Sequence, residues 1–234
     1  MRKEDKYLVS LNHRSRLLSD IEKFTRKDVN SEEGRTGYKV SSIYFDNPLL
    51  KSYFDKIDGN AKKFKLRIRN YPSKDSSKYN LEIKHKFFAK SMKDKTAIDR
   101  SIYYGMIINR RAPHMETMKD AVLENFVAIS KLQNFSPLIR VAYDRVAFFS
   151  KYDKDIRITL DFNIKCSRLK KDNNSEPNMY VLPKEFAVLE IKTNKEYPFW
   201  LSLILKKYFL KKIAISKYAL AIESMASNSF IFVK

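Results

Sequence analysis

Apolar residues recur along this chain in two rhythms, one of period two and one near 3.6, and the two alternate in blocks. Residues 2–10 alternate as a strand does. Residues 13–27 carry Leu17, Leu18, Ile21 and Phe24 at helical spacing. Residues 39–46, 62–71 and 79–89 again look extended. The last two are separated by Pro72-Ser73-Lys74-Asp75-Ser76-Ser77, a turn-forming cluster that predicts an antiparallel hairpin. The spacing of Met118, Val122, Phe126 and Ile129 predicts an amphipathic helix over 115–132, ended by Ser136-Pro137. Three more strands are expected over 137–150, 155–164 and 185–193, with a polar, mobile loop at 170–183, and one or two helices over 198–226. No repeat, heptad run or composition shift divides the chain, so a single domain over 1–234 is expected. Many short strands with interspersed helices predict an α+β fold, a closed or nearly closed antiparallel β-barrel braced by external helices.

Charge narrows the class of partner. The 47 Lys and Arg against 27 Asp and Glu leave a formal charge of +20 over 234 residues, which suits a polyanion: nucleic acid, an anionic membrane surface or a phosphate-rich small molecule. The four glycines form neither a phosphate loop nor a dinucleotide fingerprint, so phosphate would have to be bound by side chains. His13, His85 and His114 lie far apart, and the one cysteine, Cys166, allows no intrachain disulfide or cysteine-cluster metal site. The single thiol fits a reducing compartment, and a cytoplasmic location is expected. No signal peptide or membrane span is expected, because the most apolar late stretch, 199–215, is broken by Lys206, Lys207, Lys211 and Lys212. Those lysines read as a solvated helix face that could also rest on an anionic membrane. Phe45, Tyr53, Phe54, Phe126, Phe148, Phe149, Trp200, Tyr208 and Phe209 mostly sit among aliphatics, which favours core packing over nucleic-acid stacking.

Strand parity brings the candidate chemistry together. Lys65, Arg67 and Arg69 share one face, with Leu66 and Ile68 on the other. Glu82, Lys84 and Lys86 repeat the scheme, as do Arg157, Thr159 and Asp161, then Glu190 and Lys192, then Glu4 and Lys6. An ordinary antiparallel sheet with one wet face also alternates in this way. What differs here is the dominance of Lys and Arg on strand after strand, each set with one or two carboxylates. A tunnel lined by the charged face, its apolar face covered by helices such as those over 115–132 and 198–226, would put that charge to use. Burying a triphosphate requires comparable positive charge and fork-shaped donors. The carboxylates would hold Mg²⁺ or Mn²⁺, which bridges phosphate oxygens. Phosphoryl transfer needs mainly positioning and charge neutralisation.

Eight segments then carry a resemblance, in order, over residues 2 to about 220: Arg2-Lys3-Glu4-Asp5-Lys6-Tyr7, Ser42-Ile43-Tyr44-Phe45-Asp46, Lys65-Leu66-Arg67-Ile68-Arg69, Leu81-Glu82-Ile83-Lys84, Arg140-Val141-Ala142-Tyr143-Asp144-Arg145, Arg157-Ile158-Thr159-Leu160-Asp161, Leu189-Glu190-Ile191-Lys192 and Ser216-Lys217-Tyr218. The set resembles the VTC-type polyphosphate polymerase domain of the triphosphate tunnel metalloenzymes, the CYTH superfamily. The resemblance implies a tunnel of about eight antiparallel strands, in which an ATP-derived phosphate passes to a growing polyphosphate chain with Mn²⁺ or Mg²⁺. It further implies that Lys6, Arg67, Arg69, Lys84, Arg145, Arg157, Lys192 and Lys217 bind phosphates, with Ser216 donating a hydrogen bond. Glu190 would hold the metal, with Glu4, Glu82 and Asp161 as second-rank metal or water ligands. Arg67, Arg69, Lys84, Arg157 and Glu190 would form the catalytic set. A further lysine is expected on the strand after Lys84, where Lys93 and Lys95 compete and Lys95 is slightly preferred. His85 has the wrong parity and reads as structural.

The same tunnel could instead hydrolyse inorganic or nucleoside triphosphates, with Glu4, Glu82 or Lys84 assisting a water, or bind polyphosphate without turnover. The expected partners are ATP and polyphosphate, with no specific nucleic acid. Peripheral contact with an anionic membrane, or association through a membrane partner, is a lesser expectation.

Overall fold

In a computed structural model of the protein, residues 3–28, 37–72, 78–88, 90–111, 113, 120–169 and 178–229 are described. Ten antiparallel strands form one sheet: β1 (Lys3–Ser10), β2 (Thr25–Lys27), β3 (Tyr38–Asp46), β4 (Lys62–Asn70), β5 (Tyr79–Phe87), β6 (Lys90–Ile98), β7 (Ser136–Ser150), β8 (Arg157–Arg168), β9 (Met179–Tyr180) and β10 (Phe186–Thr193). Six helices accompany them among the described residues: α1 (Arg14–Phe24), α2 (Lys51–Ile57), α3 (Arg100–Ile107), α4 (Ala121–Leu132), α5 (Phe199–Lys207) and α6 (Lys217–Ser229). The strand order is β1-β10-β8-β7-β3-β4-β5-β6, with β2 on β7 and β9 on β8. Among the described residues no ladder joins β1 to β6, so hydrogen bonding does not close the sheet into the barrel expected from the sequence.

The chain forms two compact units, the first made of Met1–Lys39, Tyr143–Ile164 and Tyr180–Ser216, the second of Val40–Ala142, Lys165–Met179 and Lys217–Lys234. In the first unit Val9, Phe148, Ile158, Leu160, Leu189 and Ile191 project from the strands onto Leu17 and Ile21 of α1 and Leu201 and Ile204 of α5. Burying each such side chain contributes roughly 1.5–3 kcal/mol. The helix expected over 13–27 stops at Phe24, because the β-branched Thr25 turns extended, donates its hydroxyl to Ile21 O at 2.8 Å and opens β2. Between α5 and α6 the chain is not helical. Ile213 N donates to Lys6 O at 2.8 Å, and Lys212 pairs with Asp5 at 2.5 Å. Lys206, Lys207, Lys211 and Lys212 are all exposed, as expected, but α5 ends at Lys207, so they do not share one helix face, and Lys207 pairs with Asp20 at 2.5 Å.

In the second unit Ile43, Phe45, Leu66, Ile68, Leu81 and Ile83 pack against Met106 and Ile107 of α3 and Leu123, Phe126 and Val127 of α4. The helix expected from residue 115 begins at Ala121, where the Asp120 carboxylate accepts from Val122 N and Leu123 N at 2.9 and 3.0 Å. Residues 115–119 of that expectation, with Met118, lie outside the described residues, as do 73–77 of the hairpin turn and 170–177 of the polar loop. The rest of that loop is not all irregular, since Met179 and Tyr180 form β9. The antiparallel β4–β5 hairpin is as expected, with nine residue pairs from Lys62↔Phe87 to Asn70↔Tyr79. Of the nine aromatics assigned mostly to packing, Phe45, Phe126 and Phe148 are buried, whereas Phe54 and Phe209 are exposed. Burial pushes the Cys166 thiol up to about 11, so it stays protonated and unreactive near neutral pH.

Candidate functional site: two cationic sheet faces

The apolar parity of β4 and β5 is spent on the second unit's core, which leaves Lys65, Arg67, Arg69, Glu82 and Lys84 on the opposite face. Glu82 is 3% exposed there. Its Oε2 accepts from Arg67 Nε at 2.7 Å and Nη2 at 2.5 Å, and its Oε1 pairs with Lys93 Nζ at 2.8 Å. Burial alone would raise this carboxyl, but Arg67, Arg69 and Lys93 outweigh it and hold the group at about 2. The β5–β6 register pairs Glu82 with Lys95 and Lys84 with Lys93, so both candidate lysines share the face and Lys93 is the one bonded to Glu82. Lys84 also pairs with Lys65, which sets Lys65, Lys84 and Lys93 side by side across three strands. Like charges directly opposite each other are unfavourable in a sheet, and Glu82 offsets part of that repulsion at Lys93.

β3 supports this face through alternate residues of the segment Ser42 to Asp46. Ser42 Oγ accepts from Arg69 Nε at 3.0 Å, and the Tyr44 hydroxyl accepts from Arg67 Nη1 at 3.2 Å. Asp46 caps α2, accepting from Ser52 N at 2.9 Å, and takes a short hydrogen bond from the Tyr218 hydroxyl. Tyr218 lies 5.3 Å from Tyr44, ring to ring, and Lys65 Nζ sits 5.8 Å from the Tyr218 ring. Helix α6 therefore serves the charged face rather than covering the apolar one, contrary to the expectation for the tail. Tyr44 is buried, which opposes ionisation, yet Arg67, Arg69 and the Lys217 ammonium pull its phenol down to about 8.

The first unit carries its own polar face. In cross-strand register Glu4 faces Lys192, which faces Arg157, and Lys6 faces Glu190, which faces Thr159. Lys6 Nζ lies 3.1 Å from Glu4 and donates to Ile215 O at 3.1 Å, beside Ser216. Lys192 Nζ bridges Glu4 at 3.4 Å and Glu190 at 2.9 Å. Arg157 Nη2 pairs with Asp28 at 3.1 Å. Arg145 grips the fully buried Asp161 with two bonds, of 2.6 and 2.7 Å. Although burial disfavours the Arg145 charge, Asp161 more than compensates and raises this guanidinium well above its ordinary value. Gly37 permits the approach to Arg145: its φ is +84°, and a Cβ there would stand 2.2 Å from Arg145 O.

Of the sequence-predicted residues, Arg67, Arg69, Lys84, Lys95 and Glu82 share the second unit's face, and Lys217 influences Tyr44 in that unit. Lys6, Glu4, Glu190, Lys192 and Arg157 share the first unit's face, and Arg145 is tied to it through Asp161. Sequence parity missed the support from Ser42, Tyr44, Asp46, Asp28 and Tyr218. The alternation of Ser42, Tyr44 and Asp46 could have pointed to the first three, whereas Asp28 has no local signal. His85, read as structural from its parity, has Nε2 2.8 Å from Asp94.

Glu82 and Asp161 already engage guanidinium groups. Glu4 and Glu190 converge on one ammonium, and no group of three or more potential ligands is assembled among the described residues. Two carboxylates suit a hard divalent ion that takes its other ligands from phosphate and water.

A family model described as the VTC domain matches residues 1–226. No curated protein matches the sequence. Among solved structures, a candidate adenylate cyclase from Bacillus halodurans shares the fold with a TM-score of 0.58 at 14% identity, over 92% of this chain and 95% of that one. A Pyrococcus horikoshii protein aligns with a TM-score of 0.47 at 14% identity, over 94% of this chain and 99% of that one.

Proposed function

The chain belongs to the VTC domain family, and from that premise we propose that it is a tunnel-type, metal-dependent polyphosphate polymerase that transfers the γ-phosphate of ATP to a growing polyphosphate chain. The observation that carries this reading is the cross-strand gathering of Lys65, Arg67, Arg69, Lys84, Lys93 and Lys95 on one face around the buried carboxylate Glu82, a cationic surface suited to a chain of phosphates. In the transfer a terminal oxygen of the chain attacks the γ-phosphorus, the bond to the β–γ bridging oxygen breaks, and ADP departs with that electron pair. The attacking oxygen is already ionised, so alignment and neutralisation suffice and no strong base is needed. Arg67 and Arg69 would hold phosphoryl oxygens with fixed forks, oriented by Glu82, Tyr44 and Ser42. The ammonium groups supply unoriented positive charge. Lys6, Arg157 and Lys192 would do the same on the first unit's face. Glu190 and Glu4 would hold Mn²⁺ or Mg²⁺, which supplies further neutralisation of phosphate charge when bound.

Glu82 bears on the choice between transfer and hydrolysis. A carboxylate held at about 2 is a poor proton acceptor for an attacking water, which favours an acceptor that carries no proton. The test is to incubate the purified protein with ATP and Mn²⁺ and resolve products by gel and ³¹P NMR. A ladder of polyphosphate with ADP is expected. Orthophosphate alone would mean a triphosphatase, and saturable binding without turnover a receptor module; either would overturn the polymerase.

A further inference from the structure

Two buried donors on the first unit's face stand without a partner. The Thr159 hydroxyl and the Arg157 Nε are both shielded from solvent, and neither finds a hydrogen-bond partner among the described residues. Thr159 is 3% exposed, on the strand between two core residues, Ile158 and Leu160, that are themselves fully buried. A buried, unsatisfied hydroxyl is costly, and native proteins keep few of them. Here the side chain is not disposed toward the core. It shares the parity of Arg157 and Asp161, and its register partner is Glu190. Arg157 and Thr159 are two residues apart on one strand, about 7 Å between Cα atoms, so their donors serve the same stretch of that face.

We infer that Thr159 is a binding residue of this site, its hydroxyl donating to a phosphoryl oxygen of a condensed phosphate whose neighbouring oxygen is taken by Arg157 Nε. The inference rests on the reading of this face as phosphate-binding. Arg157 already has Nη2 on Asp28, which anchors the guanidinium and leaves Nε, with Nη1, to a ligand that parts the side chains now shielding it. Lys192, in register with Arg157, supplies the adjacent charge. A threonine is suited to this position because it donates without adding charge beside Glu190, and its β-branch keeps the strand geometry.

Thr159→Val keeps size and branching and removes only the hydroxyl. Tripolyphosphate binding is measured by calorimetry, and thermal unfolding with and without it, for the wild type, Thr159→Val and Thr159→Ser. The wild type and Thr159→Ser are expected to bind alike and Thr159→Val about tenfold or more weaker, as for a lost hydrogen bond to a charged group. Without ligand, Thr159→Val is expected to melt at the wild-type temperature or above it, because the deleted hydroxyl satisfies nothing there. Equal binding by Thr159→Val would overturn the inference and leave the phosphate reading standing. A clear fall in its ligand-free melting temperature would also overturn it, by revealing an internal partner for the hydroxyl. Absence of binding by the wild type would remove both readings together.

Discussion

Replacing Glu82 with Gln tests whether one carboxylate holds the second unit's cationic face together. Gln is nearly isosteric with the protonated acid, so comparing Glu82→Gln with the wild type isolates the charge. The folded protein holds Glu82 at about 2, against an ordinary value of 4.5, because Arg67, Arg69 and Lys93 outweigh the effect of burial. A depression of that size corresponds to about 3 kcal/mol of stability. Because the folded value lies below the unfolded one, the contribution is fully present above about pH 4.5 and is lost as pH falls toward 2. Urea unfolding at pH 7 should therefore show Glu82→Gln less stable by about 3 kcal/mol, a fall in melting temperature of roughly 6–12 °C for a chain of this size. The gap should narrow steadily at pH 4 and pH 3. Tripolyphosphate should raise the melting temperature of the variant more than that of the wild type, since an added anion replaces the missing charge. A difference below about 0.5 kcal/mol at pH 7, or one that does not change with pH, would refute the reasoning.

Tyr44 should give a phenolate absorbance step centred at about 8 that disappears in Tyr44→Phe; the step should move up with tripolyphosphate bound, and no step below pH 9.5 would refute the assignment. Its folded value lies below the ordinary 10, so its ionisation adds stability as pH rises from about 8 to 10, and that stability is lost again as pH falls through 8. Asp161→Asn should destabilise the protein by about 3 kcal/mol or more in urea, because the buried Arg145 guanidinium loses its counter-charge; a loss under 1 kcal/mol would refute this. Gly37→Ala should cost at least about 2 kcal/mol, from a positive φ together with the close approach to Arg145 O, and should weaken tripolyphosphate binding by shifting Arg145; a variant as stable as the wild type would refute it.

The faces were legible in the sequence because strand parity is a local property. Once β4, β5, β8 and β10 are recognised, the opposition of Arg67 to Leu66, or of Lys192 to Ile191, follows from the pleat alone. Partner choice was not legible. Arg157 and Asp28 are 129 residues apart, and Tyr218 and Asp46 are 172 apart, so no spacing rule joins them. The choice between Lys93 and Lys95 depended on the β5–β6 register, which pairs Lys95 with Glu82 yet brings the Lys93 ammonium onto that carboxylate from the neighbouring position. Helix α2 escaped notice because it is only seven residues long, and its start is fixed by the Asp46 carboxylate rather than by an apolar period. The role of α6 was misjudged for a related reason. Its apolar residues suggested core packing, but the buried Tyr218 hydroxyl needed an acceptor and found Asp46 beside the charged face.

The two faces differ in how their charge is held, and that difference bears on what each can bind. On the first unit's face every basic side chain has a carboxylate within reach: Lys6 with Glu4, Lys192 with Glu190, Arg157 with Asp28, Arg145 with Asp161. A phosphate arriving there must compete with those carboxylates, and a divalent cation on Glu4 and Glu190 would release Lys192 for it. On the second unit's face Lys65, Arg67, Arg69, Lys84, Lys93 and Lys95 gather around Glu82, which Arg67 and Lys93 share, and the register brings three lysines into one row. An anion is expected to bind that face without a metal. Metal dependence of phosphate binding should thus reside in the first unit's residues: Glu190→Gln should abolish the effect of Mn²⁺ on tripolyphosphate affinity, whereas Lys84→Ala should weaken affinity equally with and without the ion. If Lys84→Ala instead removed the metal effect, the assignment of the metal to Glu4 and Glu190 would be wrong.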